Sequence, residues 1–156
     1  MKGAFIMDKP IIALIYDFDK TLATSDMQNF KFISDLGMTN EEFWIKTTEF
    51  SENNHCEKIL SYLFMMMNEC KKKNIKLTEE YLNSLGKYIT YYEGVLTWFD
   101  RINEYGEKKG VKIEHYIISS GNREIIKGTK IANKFTKIFA CNYVYDENGV
   151  AFWPKM

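Results

Sequence analysis

IIALIYDFDKT occupies residues 11–21 and decides how the chain folds. Five of its first six residues are strongly apolar, which is typical of a central parallel strand covered on both faces. The carboxylates of Asp17 and Asp19 and the hydroxyl of Thr21 follow directly. Alternate side chains of an extended chain point to the same side, so both carboxylates are expected together at the carboxyl end of the strand, where open α/β sheets bind ligands.

This pattern, Asp-x-Asp-x-Thr after an apolar strand, resembles the first motif of the haloacid dehalogenase superfamily of hydrolases. The resemblance implies that Asp17 is the nucleophile that accepts a phosphoryl group and that Asp19 is the general acid and base. It also implies Mg²⁺ held by the Asp17 carboxylate and the Asp19 backbone carbonyl, with Thr21 at the phosphate site. The second Asp favours a phosphatase or phosphotransferase, because an ester leaving group needs a proton. The alternative is a turn, since Asp and Thr are common at strand ends and helix caps.

A second segment, HYIISSGNREII at residues 115–126, predicts a strand, a small polar turn and a helix. Such a turn presents a hydroxyl and backbone N–H groups at a helix N-terminus, which favours anion binding. It resembles the second motif of the same superfamily. The predicted phosphate-binding residues are Ser120, Gly121, Asn122 and Arg123, with Ser119 as the alternative hydroxyl. An ordinary helix cap by Asn122 or Ser120 is the competing interpretation, and Arg123 fits an exposed first-turn position equally well.

Residues 23–93 are predicted to form an inserted, all-helical cap of about four helices. Thr39 and Thr78 each precede acidic residues and predict helix starts. Apolar residues spaced by three and four predict one buried helical face between His55 and Lys73. They are Cys56, Ile59, Leu60, Leu63, Phe64, Met67 and Cys70. In the resembled superfamily, a helical cap at this position closes over the site and selects substrates.

Residues 1–22 and 94–156 are assigned to a core of α/β class. We expect a three-layer, Rossmann-like parallel sheet. A helix from Val95, a strand at 116–118, a helix from 125 that continues through 132 and a strand at 138–141 make up its βα pattern. Asn148-Gly149 between two apolar runs predicts a terminal β-hairpin.

Composition excludes several classes of protein. The chain has 21 basic and 21 acidic residues, so charge gives no reason to expect binding to nucleic acid or to an anionic membrane. The first eight residues lack the apolar core of a signal peptide. The three cysteines show no metal-ligand spacing, which fits a reduced, cytoplasmic protein.

Two elements of the resembled superfamily have no counterpart here: a third-motif Lys and a fourth-motif acidic pair after an apolar strand. The chain therefore resembles a C-terminally truncated hydrolase with a phosphoserine-phosphatase-like layout. We expect a Mg²⁺-dependent phosphatase acting on a small phosphorylated substrate, with activity impaired in this chain. The alternative is a non-catalytic phosphate-binding module or one part of a split enzyme. An unpaired sheet edge would favour self-association.

Overall fold

The structure, a computed structural model, describes residues 9–156. The prediction that Met1 to Asp8 contain no signal-peptide core lies outside these residues. Four strands form one sheet, in which each strand pairs with its neighbours in sequence. They are β1 (Ile11–Tyr16), β2 (Lys112–Asn122), β3 (Lys137–Tyr145) and β4 (Ala151–Lys155). The first three are parallel and β4 is antiparallel, which confirms the α/β class and the terminal hairpin.

Two helices connect the parallel strands on one face of the sheet. Helix α5 (Val95–Lys108) precedes β2, and α6 (Arg123–Lys127) lies between β2 and β3. Right-handed crossovers in a sheet whose strands follow chain order place both helices on the same side. Ile117 and Phe99 are fully buried there. We name this side the closed face.

The opposite side, which we name the open face, carries exposed apolar residues. The exposed fractions are 58% for Ile11, 61% for Ile15, 58% for Ile118 and 47% for Phe139. Strand β1 pairs with β2 alone among the described strands, so it lies at the edge of the sheet. The prediction that β1 is a central strand covered on both faces is therefore wrong for this structure. The apolar run is present, but the described residues supply a cover on one side only.

The helical insertion lies between β1 and α5. It contains a 3-10 turn (Met27–Asn29), α1 (Phe32–Asp35), α2 (Asn40–Asn53), α3 (Lys58–Lys72) and α4 (Glu79–Leu85). The predicted helix starts are correct, because the Thr39 and Thr78 side chains accept backbone N–H groups of α2 and α4. The two connecting segments pair side by side, with Tyr92 N–H donating to the Leu22 carbonyl. The division into cap and core domains remains a prediction.

The buried face of α3 differs from the predicted one. Phe64 is 38% exposed, whereas Tyr62, Met66 and Glu69 are buried. The helix packs against both α2 and β4, so a wider arc of its surface is covered than the apolar spacing indicates. The Tyr143 hydroxyl of β3 also donates to the Leu63 carbonyl and draws that side of the helix towards the sheet.

Helix α6 is shorter than predicted and ends at a close contact with α4. Gly128 is its C-cap, and Ala132 belongs to a separate 3-10 turn (Ala132–Lys134) instead of continuing the helix. A Cβ atom on Gly128 would lie 1.8 Å from the backbone oxygen of Asn83, and one on Gly86 would lie 2.3 Å from the Gly128 carbonyl carbon. The two glycines therefore allow direct backbone contact between the insertion and the core.

Candidate active site

The turn after β1 positions both motif carboxylates. Phe18 is fully buried, and its carbonyl accepts backbone N–H groups from three residues, Thr21, Leu22 and Ala23. Lys20 has a φ of +57°, a left-handed conformation that is uncommon outside glycine. The Asp17 carboxylate is exposed and accepts the Phe18 N–H at 2.7 Å. The chain thus reverses tightly directly after the two acids, at the carboxyl edge of the sheet.

Asp19 is held more deeply than Asp17. Its Oδ1 accepts the backbone N–H of Met27, in the first turn of the insertion, at 2.9 Å. Burial, followed by the nearby negative charge of Asp26, raises the pKa of Asp19 to about 7. Asp26 itself pairs with the Lys20 ammonium at 2.6 Å. A carboxyl group with this pKa can hold a proton and release it near neutral pH, as a general acid and base must do.

The second predicted motif lies at the end of β2. The predicted turn is an irregular end of the strand itself, because the pairing of β2 with β3 shifts between Ser119 and Asn122. The Ser119 Oγ accepts the Gly121 N–H at 3.0 Å. A Cβ atom on Gly121 would lie 3.1 Å from Asp19 Oδ2 and 2.2 Å from the Met27 methyl group. Gly121 therefore lets the two motifs approach each other.

A cavity of about 190 Å³ lies where the motifs meet the helical insertion. Asp19, Ser120 and Gly121 form its core side. The insertion supplies the remaining lining residues, which are Asp26, Gln28, Trp44, Thr47, Thr48, Lys58, Ile59 and Tyr62. The lining combines carboxylate, amide, hydroxyl and ammonium groups with the apolar surfaces of Trp44 and Ile59, and the space has the size of a small ligand.

Tyr62 joins the insertion to the second motif across this cavity. Its hydroxyl donates a hydrogen bond to the backbone carbonyl of Ser120. Burial is the largest cause that raises the pKa of Tyr62 well above its usual value of 10, so the hydroxyl remains a donor. The contact fixes the Ser120 peptide relative to α3 and closes one wall of the cavity.

The predicted phosphate-binding residues are not all at the cavity. Ser120 and Gly121 line it, whereas Thr21 is exposed in the turn after Asp19. Asn122 is fully buried, and its Oδ1 accepts the Ile125 N–H as the N-cap of α6. Arg123 is half-buried at the first position of that helix. Roles for these residues in phosphate binding remain predictions.

Most lining residues from the insertion were not singled out by sequence reasoning, among them Gln28, Trp44 and Lys58. Gln28 is only 2% exposed and lies in the cavity lining. Trp44 contributes an aromatic wall, with its indole N–H donating to Asn29 Oδ1 at 2.8 Å. Lys58 is the one lysine in the described lining. A buried polar residue in a short turn gives no sequence pattern, so the amide of Gln28 had no recognisable signal.

The donor set suits a hard cation only in part. Asp17 and Asp19 offer the oxygen ligands that Mg²⁺ prefers, and Mg²⁺ is commonly bound by one or two carboxylates. The described part of the chain contains no cluster of three or more His, Cys, Asp or Glu residues arranged to hold a metal ion. Asp17 and Asp19 could therefore supply part of a Mg²⁺ ligand shell. Water, phosphate or other groups would have to supply the remaining ligands.

The sequence comparisons give one informative relative. No family model matches the chain. A protein of Borreliella burgdorferi, described as uncharacterized, is 33% identical over 144 residues, which cover 86% of this chain and 50% of that protein. The chain thus spans about half the length of this relative.

Solved structures identify the fold. A HAD-family hydrolase of Salmonella enterica serovar Typhi has a TM-score of 0.60 and 19% identity, covering 92% of this chain and 45% of that one. A phospho-aspartyl intermediate analogue of phosphoserine phosphatase has a TM-score of 0.59 and 19% identity, covering 94% and 64%. A phosphoserine phosphohydrolase-like protein of Francisella tularensis has a TM-score of 0.58 and 17% identity, with the same coverage of 94% and 64%. The chain has the fold of the haloacid dehalogenase-like hydrolases, in a phosphoserine-phosphatase-like layout, over less than two thirds of these proteins' length.

Proposed function

We propose that the cavity is the active site of a Mg²⁺-dependent phosphatase or phosphotransferase that acts on a small phosphomonoester through an aspartyl-phosphate. The observation that carries the proposal is the meeting of Asp19, Ser120 and Gly121 in one cavity at the carboxyl edge of a parallel sheet. The raised pKa of Asp19 supports its role as proton donor and acceptor. The solved phosphatases share the fold, which makes this reaction class the natural one to test.

In the first step, an Asp17 carboxylate oxygen attacks phosphorus and the bond to the ester oxygen breaks. Asp19 gives its proton to that oxygen, which leaves as an alcohol. A carboxyl group with a pKa of about 7 is protonated in a large fraction of molecules at neutral pH. Asp17 is exposed and lies outside the cavity lining, so attack requires its carboxylate to turn towards the bound phosphate, whereas Asp19 is held by its hydrogen bond from the Met27 N–H.

In the second step, water attacks the aspartyl-phosphate. Asp19, now ionised, takes a proton from the water, the new phosphorus–oxygen bond forms and the Asp17 carboxylate is released. Ser120 lines the cavity, and we expect its hydroxyl to donate to a phosphate oxygen during both steps. Phosphate contacts by Thr21, Asn122 and Arg123 are a weaker part of the proposal, because these side chains lie outside the cavity lining.

Asp17 and the Asp19 carbonyl would hold Mg²⁺. When bound, the ion neutralises phosphate charge that would otherwise repel a carboxylate nucleophile. We expect this chain to bind Mg²⁺ weakly and to turn over slowly, because the described residues offer no third acidic ligand. Among the described lining residues, Lys58 is the one lysine that can offset phosphate charge, and it belongs to α3.

The experiment is a rate assay on an aryl phosphate with and without Mg²⁺, combined with mass spectrometry of acid-quenched protein. We expect slow or undetectable turnover and a phosphoryl adduct on Asp17. Asp17→Asn should abolish the adduct, whereas Asp100→Asn, on the exposed surface of α5, should retain it as a control for the lost charge. Turnover that survives Asp17→Asn would contradict the mechanism. Fast turnover that Asp17→Asn removes would contradict the impairment alone.

A second candidate is phosphate binding without turnover, in a module or in one part of a split enzyme. The incomplete set of acidic ligands favours it. Phosphate binding by calorimetry that Ser120→Ala weakens, with no adduct on Asp17 under any condition, would support this candidate.

Partners and location are also part of the proposal. The expected ligand is a small phosphorylated molecule, and the isolated chain is expected to self-associate because the outer edge of β1 is unpaired among the described strands. Light scattering across a concentration series measures this. No helix in residues 9–156 has the length and apolar character needed to cross a membrane. The three free cysteines support a reducing compartment such as the cytoplasm.

A further inference from the structure

We propose that a groove between helix α3 and the terminal β-hairpin binds an aromatic carboxylate. We name it the hairpin groove; its lining comes from α3, from residues 74–77 and from hairpin residues 146 and 150–152. It shares no lining residue with the cavity at Asp19. The inference therefore goes beyond the proposed reaction and does not depend on it. It rests on the size of the groove, on its aromatic walls and on the charges at its rim.

The hairpin groove has the dimensions of a ligand site. Its volume is about 770 Å³, larger than the cavity of about 190 Å³ at Asp19. This volume lies within the usual range for sites that bind small molecules. The groove also separates two parts of the chain, the helical insertion and the hairpin, and clefts between parts of a fold are frequent ligand sites.

Hydrogen bonds join the two sides of the groove. The Ala151 N–H of the hairpin donates to the Leu77 carbonyl of the insertion at 2.8 Å. The next residue of the insertion, Thr78, forms an isolated β-bridge with Val150. The two walls are thus held together without a ligand, so binding requires little ordering of the protein.

Aromatic and sulfur-containing side chains form part of the walls. Phe64 on α3 and Phe152 on β4 both line the groove and are 38% and 53% exposed. The Phe64 ring is stacked on the Phe50 ring, with 4.9 Å between the ring centres, and this contact restricts its orientation. Met67 lies in the same lining, and a thioether makes favourable contacts with aromatic rings. These groups favour a ligand with an aromatic body.

The charges at the rim favour an anion. Lys71 and Lys76 line the groove and are exposed, and the ion pairs formed within residues 9–156 include neither of them. The one acidic residue in the described lining is Asp146. Its Oδ1 accepts the N–H groups of Asn148 and Val150 at 2.9 Å each, so the hairpin turn already uses this oxygen. A carboxylate on the ligand can accept charge-assisted hydrogen bonds from the two ammonium groups.

The probe is indole-3-acetate, which joins an aromatic ring to a carboxylate. The uncharged indole-3-acetamide is the matched ligand. An amide NMR titration of the isotope-labelled, 156-residue chain measures the affinity and locates the site. We expect saturable binding of indole-3-acetate with a dissociation constant on the order of 1 mM or tighter, and shifts centred on residues 74–77 and 150–152. Indole-3-acetamide should bind at least about tenfold more weakly.

Lysine variants test the rim. Lys71→Gln should weaken binding about threefold or more, and the double variant with Lys76→Gln should weaken it at least about tenfold. Lys109→Gln is the matched control, because Lys109 caps the C-terminus of α5 outside the groove, as Lys71 lies in the last turn of α3. It should leave the affinity unchanged.

Two neighbouring aromatic residues on β4 test the wall. Phe152→Ala should weaken binding about threefold or more, because it removes an exposed ring from the lining. Trp153→Ala is the control, since Trp153 is 63% exposed and lies outside the lining. Circular dichroism checks that each variant is folded, and the lysine variants provide the test if Phe152→Ala is not.

Four results would overturn the proposal. They are the absence of saturable binding at millimolar probe, equal affinity for the amide, binding that the lysine variants leave intact, and shifts centred on the cavity at Asp19. An apparent affinity that falls as protein concentration rises would assign the groove to a second copy of the chain and would also overturn it. None of these variants lies in the cavity lining, so the outcome is separate from that of the phosphatase assay.

Discussion

The two faces of the sheet have similar apolar residues and very different surroundings. Ile117 and Ile118 are neighbours on β2, and they are 0% and 58% exposed. The first packs under α5 and α6, whereas the second lies on the open face. The difference shows that an apolar side chain on a strand is not enough for burial. Whether the side chain is buried depends on whether another segment of the fold packs over that face.

Exchange of these two isoleucines for alanine should give the largest difference. Ile117→Ala leaves a cavity in a packed layer and should lower the free energy of unfolding by about 2–5 kcal/mol. Ile118→Ala removes a side chain that already meets water and should change it by less than about 0.5 kcal/mol. Urea denaturation of both variants provides the measurement. Similar losses would show that the open face is covered in solution.

Burial of Asp19 at the carboxyl edge of the sheet should make the stability of the fold depend on pH. The pKa of Asp19 is raised from 3.8 to about 7, so the folded protein keeps this proton over a range in which the unfolded chain has lost it. The group therefore stabilises the fold fully at acidic pH, and this contribution is lost as pH rises towards the folded pKa. Asp19→Asn removes the charge at every pH and should raise stability by roughly 2–3 kcal/mol at about pH 8, with little gain at about pH 4.

The measurement is thermal unfolding of both proteins at the two pH values, with EDTA present to exclude bound cations. An equal difference at both pH values would contradict the burial of this carboxyl group.

The next largest effect should come from adding carbon atoms at a packed position and at an exposed one. Gly128→Ala forces a Cβ against the Asn83 backbone, which cannot move independently of α4, and should cost about 1–3 kcal/mol. Ala13→Val adds carbon atoms to an exposed position of β1, where a β-branched residue suits the strand, and should be neutral or slightly stabilising. Chemical denaturation compares the pair. A neutral Gly128→Ala would show that α4 and α6 are loosely packed.

Removal of two tyrosine hydroxyls, one partly buried and one at the surface, should give the smallest difference in stability. Tyr62→Phe leaves the Ser120 carbonyl without its partner in a partly buried position and should cost about 0.5–1.5 kcal/mol. The Tyr116 hydroxyl donates to the Glu114 carboxylate at 2.6 Å, where water can replace it, so Tyr116→Phe should cost less than about 0.5 kcal/mol. Thermal unfolding of the two variants side by side measures both effects. Equal losses would mean that the Tyr62 contact is exposed to solvent.

Much of the fold was predictable from local pattern. The strand before Asp17, the capped starts of α2 and α4 and the hairpin at Gly149 each depend on neighbouring residues, and each is present. The bare side of β1 was not predictable, because an apolar run has the same sequence whether one or two layers cover it. The early end of α6 depends on the approach of α4, a contact between segments about forty residues apart.

The candidate site also contains residues that could be predicted from the sequence and residues that could not. Asp19 and Ser120 were identified from short motifs, and both line the cavity. The opposite wall comes from separate helices of the insertion, where Trp44 and Tyr62 look like ordinary core residues in sequence. Gln28 became recognisable only as a buried amide residue in the cavity lining. Site residues that belong to one short motif can therefore be predicted from the sequence. Site residues that packing brings together from separate helices cannot.

The contact between Gly86 and Gly128 has a mechanical consequence. The two backbones have no side chains between them whose rotamers could adjust, so we expect α4 and α6 to move together. Any motion of the insertion relative to the sheet should therefore be smallest at α4.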